Sequence, residues 1–419
     1  MQHDLDRINT SPKAHIRAVP CPSYQYYTPF QIEIEPLKNL GLYLKAHQNL
    51  NSWDLTGSKT LNKIPSVNPY NLYKEVVLNL VKPEEIDFDN LGFAYIATKT
   101  MFWATHDGTK WTDGELRPFG TFEINPAACI LNYGQGVFEG MKAQRTKQNE
   151  LVLFRPLENA IRCKESCERL CIPPYDPQKF VYWVKQVVKA NADYVPPYGK
   201  GALYIRPIIF GSGPILGVAP APSYTMIIFV IPVGPYFKEG FNPIKLEISK
   251  KYHRAAPKGT GNIKYVGNYA GTMLPSEETH AAGFAQIIYL DAAEEKYIEE
   301  VGTANFFCVV DGILLTPQLG SILPGVTRKS VIELARDQLG MSVEERNVRY
   351  EEVFKASEVF CTGTAAVVTP IGSIMFEGKQ YIFNDFKVGE ITQKLYDLLT
   401  EIQLQERDDP YGWVENVND

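Results

Sequence analysis

The stretch KGTGNIKYVGNYAG, residues 258–271, sets Lys264 among glycines 259, 261, 267 and 271, with Tyr265 and Tyr269 close by. A surface lysine needs no glycine, and core strands seldom carry so many. The segment reads either as an ordinary loop with a solvated lysine or as backbone cleared for something to approach the amine. A lysine amine turns nucleophilic when apolar burial or a nearby cation lowers its pKa, and it can then form a Schiff base. Ile263 and Val266 give Lys264 apolar neighbours, and the glycines leave space for a flat ring. The stretch looks like a phosphate loop at first sight, but it lacks the spacing and the Lys-Ser/Thr ending.

Other segments offer what such a lysine would need. Pyridoxal phosphate requires a carboxylate on its pyridine nitrogen, and YIEEVGTANFF (297–307) carries Glu299 and Glu300 in a strand. Strand alternation points one of the two into solvent and the other inward. An exposed acidic pair on an edge strand reads the same way. A phosphate would also need a cup of backbone N–H groups, which helix N-termini supply. ILPGVTRKS (322–330) turns at Gly325 and Val326 and starts a helix at Thr327, while FCTGTA (360–365) adds a small-residue turn with Thr362 and Thr364. Either turn could be only a cap. Arg162 could add positive charge, although a surface position on its helix is the default reading.

The 419 residues are 45% hydrophobic, enough for a large core in two or more domains. A net charge of -6 gives no basic footprint for nucleic acid. No apolar run reaches the roughly 18 residues that a membrane span needs. The first twenty residues lack an apolar core and carry two aspartates, against a secretory signal and against a transit peptide. Seven cysteines form no C-x-x-C pair, so no metal site is expected and a reduced, intracellular protein fits. Cys163, Cys167 and Cys171 are spaced to stack on one helix face as small buried residues.

Residues 1–85 read as an N-terminal extension, 86–230 as a small domain, 231–240 as a linker rich in Pro and Gly, and 241–419 as a large domain. LNYGQGVFEGMKAQR (131–145) is expected to begin as a strand, turn at its glycines and enter a short helix. LENAIRCKESCERLCIP (157–173) is an amphipathic helix stopped by prolines, and GALYIRPIIFG (201–211) and YTMIIFVIPVG (224–234) are strands. Strands and helices interleave without βαβ regularity, and no G-x-G-x-x-G occurs, so a two-domain α+β architecture is favoured over a Rossmann sheet.

Seven segments in order, LNYGQGVFEGMKA, LFRPLENAIR, LYIRP, GNIKYVGNYA, EEVGTANFF, ILPGVTRKS and FCTGTA, are similar to the fold-type IV pyridoxal-phosphate enzymes. Within them the chain resembles the branched-chain amino acid aminotransferases, closest to plant members, over residues 89–413. The resemblance implies two α/β domains joined by a short linker, pyridoxal 5'-phosphate as cofactor, and transfer of the amino group of L-leucine, L-isoleucine or L-valine to 2-oxoglutarate. It implies Lys264 as the Schiff-base and proton-shuttling lysine, Tyr269 on the cofactor's phenolic oxygen, and Glu300 rather than Glu299 on its pyridine nitrogen. Arg162, Val326, Thr327 and Thr362 would surround the phosphate. Tyr133, Phe138, Tyr204 and Val218 would wall the substrate pocket, with Arg206 from the Tyr-x-Arg signature, and the Thr364-Ala365 turn would offer N–H groups to the substrate carboxylate. A homodimer is implied, each site closed by the neighbouring subunit's loop.

The chain departs from the family at Lys99, where a carboxylate is usual beside the active-site entrance, at Gln144, usually aromatic, and at Tyr265 after the lysine. Ala366 and Thr369 stand where some animal members carry a C-x-x-C pair. These departures leave room for a specialised paralogue acting on a methionine-related or aromatic amino acid, or on a ketone or aldehyde. An aminodeoxychorismate-lyase-type enzyme is the weaker alternative. The cytoplasm is the expected compartment, with mitochondrion or plastid as alternatives.

Overall fold

The computed structural model describes residues 81–237 and 239–419. Most of the 1–85 extension therefore lies outside the described residues. The first sheet holds β1 (Thr100–His106), β2 (Glu115–Pro118), β3 (Gly136–Phe138), β4 (Met141–Arg145), β5 (Leu151–Phe154), β6 (Ala202–Gly211), β7 (Tyr224–Val233) and, from the far end of the chain, β17 (Val414–Asn416). Its order is β17-β5-β4-β6-β7-β1-β2, with β3 also on β6. The second sheet holds β8 (Ile244–Ser249), β9 (Gln286–Leu290), β10 (Ile298–Val301), β11 (Ala304–Val310), β12 (Ile313–Pro317), β13 (Val343–Arg346), β14 (Glu358–Gly363), β15 (Val367–Phe376) and β16 (Lys379–Ile382). Here the order is β10-β9-β8-β15-β14-β11-β12-β13, with β16 on β15. The chain passes from one sheet to the other between Val233 and Ile244, and both parallel and antiparallel pairs occur in the second.

Helices cover these sheets because their apolar residues recur at helical spacing. After the short α1 (Cys129–Tyr133) come α2 (Pro156–Arg169) and α3 (Pro177–Ala190). Proline opens both, and the Asp176 side chain accepts the Gln178 N–H to cap α3. Phe180, Val184, Val187 and Val188 of α3 join Cys163 and Cys167 of α2 against Leu203, Ile205, Met226 and Ile228 of the sheet. On the second sheet, neighbouring residues of β11 and β14 go to opposite faces. Phe307 and Phe360 pack under α6 (Val326–Asp337) and α8 (Glu390–Gln403), whereas Phe306 and Cys361 enter the other core layer. The second sheet is thus buried on both sides.

That double burial corrects one expectation. Glu299 does not face solvent: it is 6% exposed and Glu300 2%, because each face of β10 is covered. Two local readings also change. In 131–145 the helix comes first, as α1, and the glycine-rich turn is followed by β3 and β4 rather than by a helix. Gly134, at φ 68°, ends α1 in the left-handed conformation that favours glycine. Cys171 falls beyond α2 and is exposed, so only Cys163 and Cys167 stack in the core.

Phe307 and Phe360 sit directly opposite across β11 and β14 with ring centroids 5.1 Å apart. Phe307→Ala is expected to cost about 3–5 kcal/mol of stability, since neither helix can collapse into the gap. The urea midpoint followed by tryptophan fluorescence measures it; an unchanged midpoint would remove this pair from the core's main supports.

Candidate active site

Lys264 is held in place by its backbone. Its carbonyl accepts the Phe138 N–H at 3.1 Å, its N–H donates to Ser166 Oγ at 3.1 Å, and Tyr265 bridges to Val137. The lysine segment is thereby stitched to β3 and α2 just before α4 (Val266–Ala270) begins. The glycines around it have a different use from the one expected. A Cβ on Gly261 would lie 2.0 Å from the Ser321 carbonyl oxygen, and one on Gly267 2.4 Å from the Tyr265 ring. They let protein approach protein. The glycines that face the neighbouring cavity are Gly140, Gly325 and Gly363.

That cavity, about 390 Å³, collects residues from both sheets. Phe138, Arg162, Tyr204, Arg206, Lys264, Tyr269, Glu300, Val326, Thr327, Thr362, Thr364 and Ala365 all line it. Lys264 Nζ lies 3.4 Å from the Tyr269 hydroxyl and 4.5 Å from the centre of the Phe138 ring, whose edge meets Tyr269. The Arg206 guanidinium covers Phe138 at 4.7 Å and donates to the Tyr204 hydroxyl at 3.1 Å.

Glu300 anchors the opposite wall. Its Oε1 accepts the Leu323 N–H at 2.8 Å and the Asn305 amide at 3.1 Å, tying β10 to the turn that starts α6. Its Oε2 is paired with Arg254 Nε at 2.8 Å, both side chains 3% exposed. Burial pushes the Glu300 carboxyl above its ordinary range, with Arg254 working against that rise. Arg254 also donates to the Gly261 carbonyl, which links Glu300 to the lysine loop. The sequence reading missed Arg254, because an arginine in an irregular stretch looks solvated unless its buried partner is known.

A second buried pair sets Arg162. Its guanidinium grips Glu139 through two bonds of 2.7 and 2.9 Å and donates to the Pro324 carbonyl. Burial raises the Glu139 carboxyl, but Arg162, helped by Lys264 and the Gly140 N–H, leaves the group below its usual range. Arg162 is therefore not on the surface, the default reading for its helix face. Glu139 and Asn159, which donates to it, were also missed.

The far end of the cavity suits a phosphate. The N-terminus of α6, 12 residues long, has no side chain capping it at Gly325. Beside it the Thr362 hydroxyl is buried without a hydrogen-bond partner among the described residues. Uncapped N–H groups, a hydroxyl in want of an acceptor and Thr327 form a cradle for an anion. Glu300, a buried carboxylate, and the Tyr269 hydroxyl line the same cavity. These donors and acceptors fit pyridoxal 5'-phosphate.

Two expected pocket residues stand apart from the cavity of this chain. The Tyr133 hydroxyl donates to the Leu216 carbonyl, and Val218 is 87% exposed on the loop between β6 and β7. Lys99 does not border the cavity of this chain either; its ammonium pairs with Asp193 at 2.8 Å, both side chains about half exposed.

Removing one partner of a buried ion pair leaves an uncompensated charge. Arg254→Met is expected to lower stability by about 3–5 kcal/mol, and the double change with Glu300→Gln to recover much of it. Denaturant midpoints of the three proteins test this; a double variant no better than the single would contradict the pairing.

Comparison with known proteins agrees with this geometry. The amino-transferase class IV family matches residues 136–374. The chain is 47% identical to chloroplastic branched-chain-amino-acid aminotransferase 5 of Arabidopsis thaliana over 79% of its own length and 80% of that protein. It is 42% identical to the methionine aminotransferase of the same plant, over 80% of this chain and 95% of that one. The branched-chain amino acid aminotransferase of Escherichia coli superposes with a TM-score of 0.67 at 28% identity, covering 76% of this chain and 99% of that one. The chain belongs to the class IV aminotransferases and, within them, to the branched-chain-amino-acid aminotransferases.

Proposed function

We propose that this enzyme moves the amino group of L-leucine, L-isoleucine or L-valine to 2-oxoglutarate, with Lys264 as the catalytic residue. The observation that carries the reading is the placement of Lys264 Nζ between Tyr269 and the Phe138 ring, in one cavity with the buried Glu300. Pyridoxal 5'-phosphate supplies a carbonyl for the amine and an electron sink for the α-carbon. Glu300, held by its pair with Arg254, would hold the proton on the ring nitrogen. The helix N-terminus at Val326 and Thr327, with Thr362 and Arg162, would fix the phosphate. Lys264 Nζ would take the substrate's α-proton and return it at the neighbouring carbon, within reach of Tyr269.

Phe138, Tyr204 and the stem of Arg206 form an apolar wall suited to branched side chains. Such a wall separates substrates by only about 1–3 kcal/mol per methylene. The Arg206 Nε is buried and without a partner among the described residues, which supports it as the group that meets the γ-carboxylate of glutamate. The N–H groups of Thr364 and Ala365 would receive the α-carboxylate. Val218, exposed on its own subunit, and the partly buried Tyr133 suit a homodimer in which they close the partner's cavity. Relatives named chloroplastic and mitochondrial support an organelle, rather than the cytoplasm that the two aspartates of the N-terminal segment suggest.

With cofactor added, borohydride reduction and peptide mapping should place the label on the peptide carrying Lys264, and Lys264→Ala should lose both label and turnover. Label elsewhere would overturn the lysine assignment. Leucine, isoleucine and valine should turn over with 2-oxoglutarate at least about tenfold faster than methionine or phenylalanine, the gap expected for one or two mismatched groups. The reverse ranking would assign the chain to the methionine-type branch.

A further inference from the structure

Behind the Thr364–Ala366 turn lies a second cavity of about 590 Å³, which shares Tyr236, Ala365 and Ala366 with the first as a common wall. Lys142 of β4 faces it and donates from Nζ to the Ala365 carbonyl at 3.3 Å. Two residues earlier in the chain, the Gly140 carbonyl accepts the Thr364 hydroxyl at 3.2 Å. On the other side, the Thr369 hydroxyl donates to the Ala366 carbonyl at 2.8 Å. The turn ends at Val367, whose φ of 58° is a left-handed conformation that a β-branched residue adopts only when its surroundings impose it. Residues 364–366 are thus tied at three successive positions, while none of their N–H groups has a backbone acceptor among the described residues.

The planarity of the peptide bond turns these ties into an orientation. In a trans peptide the C=O and the following N–H point opposite ways. Drawing the Ala365 carbonyl back toward Lys142 aims the Ala366 N–H forward, into the first cavity. We propose that Lys142 is a positioning residue for the substrate carboxylate: it holds the Ala365–Ala366 peptide plane from behind, so that the turn presents its N–H groups to the incoming amino acid. The proposal rests on the reading that this turn, and not Arg206, receives the α-carboxylate.

The charge of Lys142 gives the device a pH dependence. Burial pulls its pKa down to about 8. The titratable groups on the surrounding walls are Asp89 and Lys200, ion-paired to each other, and the phenols Tyr236 and Tyr396; across the β4–β6 pairing stands Tyr204. None of the described carboxylates pairs with Lys142. Its charge is therefore present below about pH 8 and lost above it, and the neutral amine is the weaker donor to Ala365.

The experiment titrates the cofactor-loaded protein with 4-methylvalerate, a substrate-shaped carboxylate without the amine, reading the cofactor's absorbance. Wild-type binding should weaken about fivefold between about pH 7 and about pH 9, the difference between a charged and a neutral donor. Lys142→Met should bind about tenfold more weakly than wild type does at the lower pH and show no pH step, with the cofactor band and far-ultraviolet dichroism unchanged. Lys142→Arg, which stays charged, should bind like wild type at the lower pH and lack the pH step. Comparing wild type with Lys142→Arg cancels every ionisation common to both. Wild-type affinity in Lys142→Met, with Arg206→Met also unaffected, would overturn the positioning role alone. Wild-type affinity in Lys142→Met but loss in Arg206→Met would show that the carboxylate sits on Arg206, and both readings would fall. A pH step that persists in Lys142→Arg would also overturn the proposal.

Discussion

The buried pair between Arg254 and Glu300 is the interaction around which the site is arranged. One guanidinium reaches Glu300 on β10 and the Gly261 carbonyl in the lysine loop, while the other oxygen of Glu300 holds the turn that begins α6. Three parts of the chain far apart in sequence are joined by one carboxylate. A charge so far from water persists only if it is paired and its remaining lone pairs are used. Here Arg254, Asn305 and the Leu323 N–H meet that condition, and the same bonds fix the distance from Lys264 to the uncapped helix end.

Arg162 and Glu139 repeat the scheme on the opposite wall. Glu139 accepts from Arg162, Asn159 and the Gly140 N–H, so the edge of the first sheet is as firmly set as that of the second. Both pairs are nearly removed from water, Arg254 and Glu300 each 3% exposed and Glu139 fully buried, within a molecule whose two sheets carry apolar layers. The apolar packing thus does more than supply stability. By excluding water it strengthens every polar contact in the cavity, at the cost of requiring each buried charge to have a partner.

The turn at 364–366 joins the two walls. It belongs to the hairpin of β14 and β15, yet Gly140 and Lys142 of the other sheet hold it. The direction in which the backbone N–H groups of this turn point depends on how the sheets meet, not on the turn's own sequence. Gln144 and Lys142, neighbours on β4, both border the cavity behind it. That places one of the chain's departures from its family near the turn, whereas Lys99 has become part of an ordinary surface ion pair.

The sequence by itself determined the chemistry. A lysine among glycines, an acidic pair in a strand and two small-residue turns each allowed an ordinary reading; the resemblance of seven ordered segments implied one cofactor, and the residues it implied mostly line a single cavity. Local signals also located most helices and strands, since Pro at helix starts and apolar periodicity act over a few residues. Only the tertiary structure decided which polar residues lose their water. Arg254 lies in no motif, Glu139 and Lys142 lie in LNYGQGVFEGMKA with no role that their residue type announces, and Glu299 reads as exposed on alternation alone, because burial is a property of what packs on the other side. The glycines of the opening stretch show the same division. Their number marks a close approach, but whether ring or backbone does the approaching is set by residues such as Ser321, about sixty positions away along the chain.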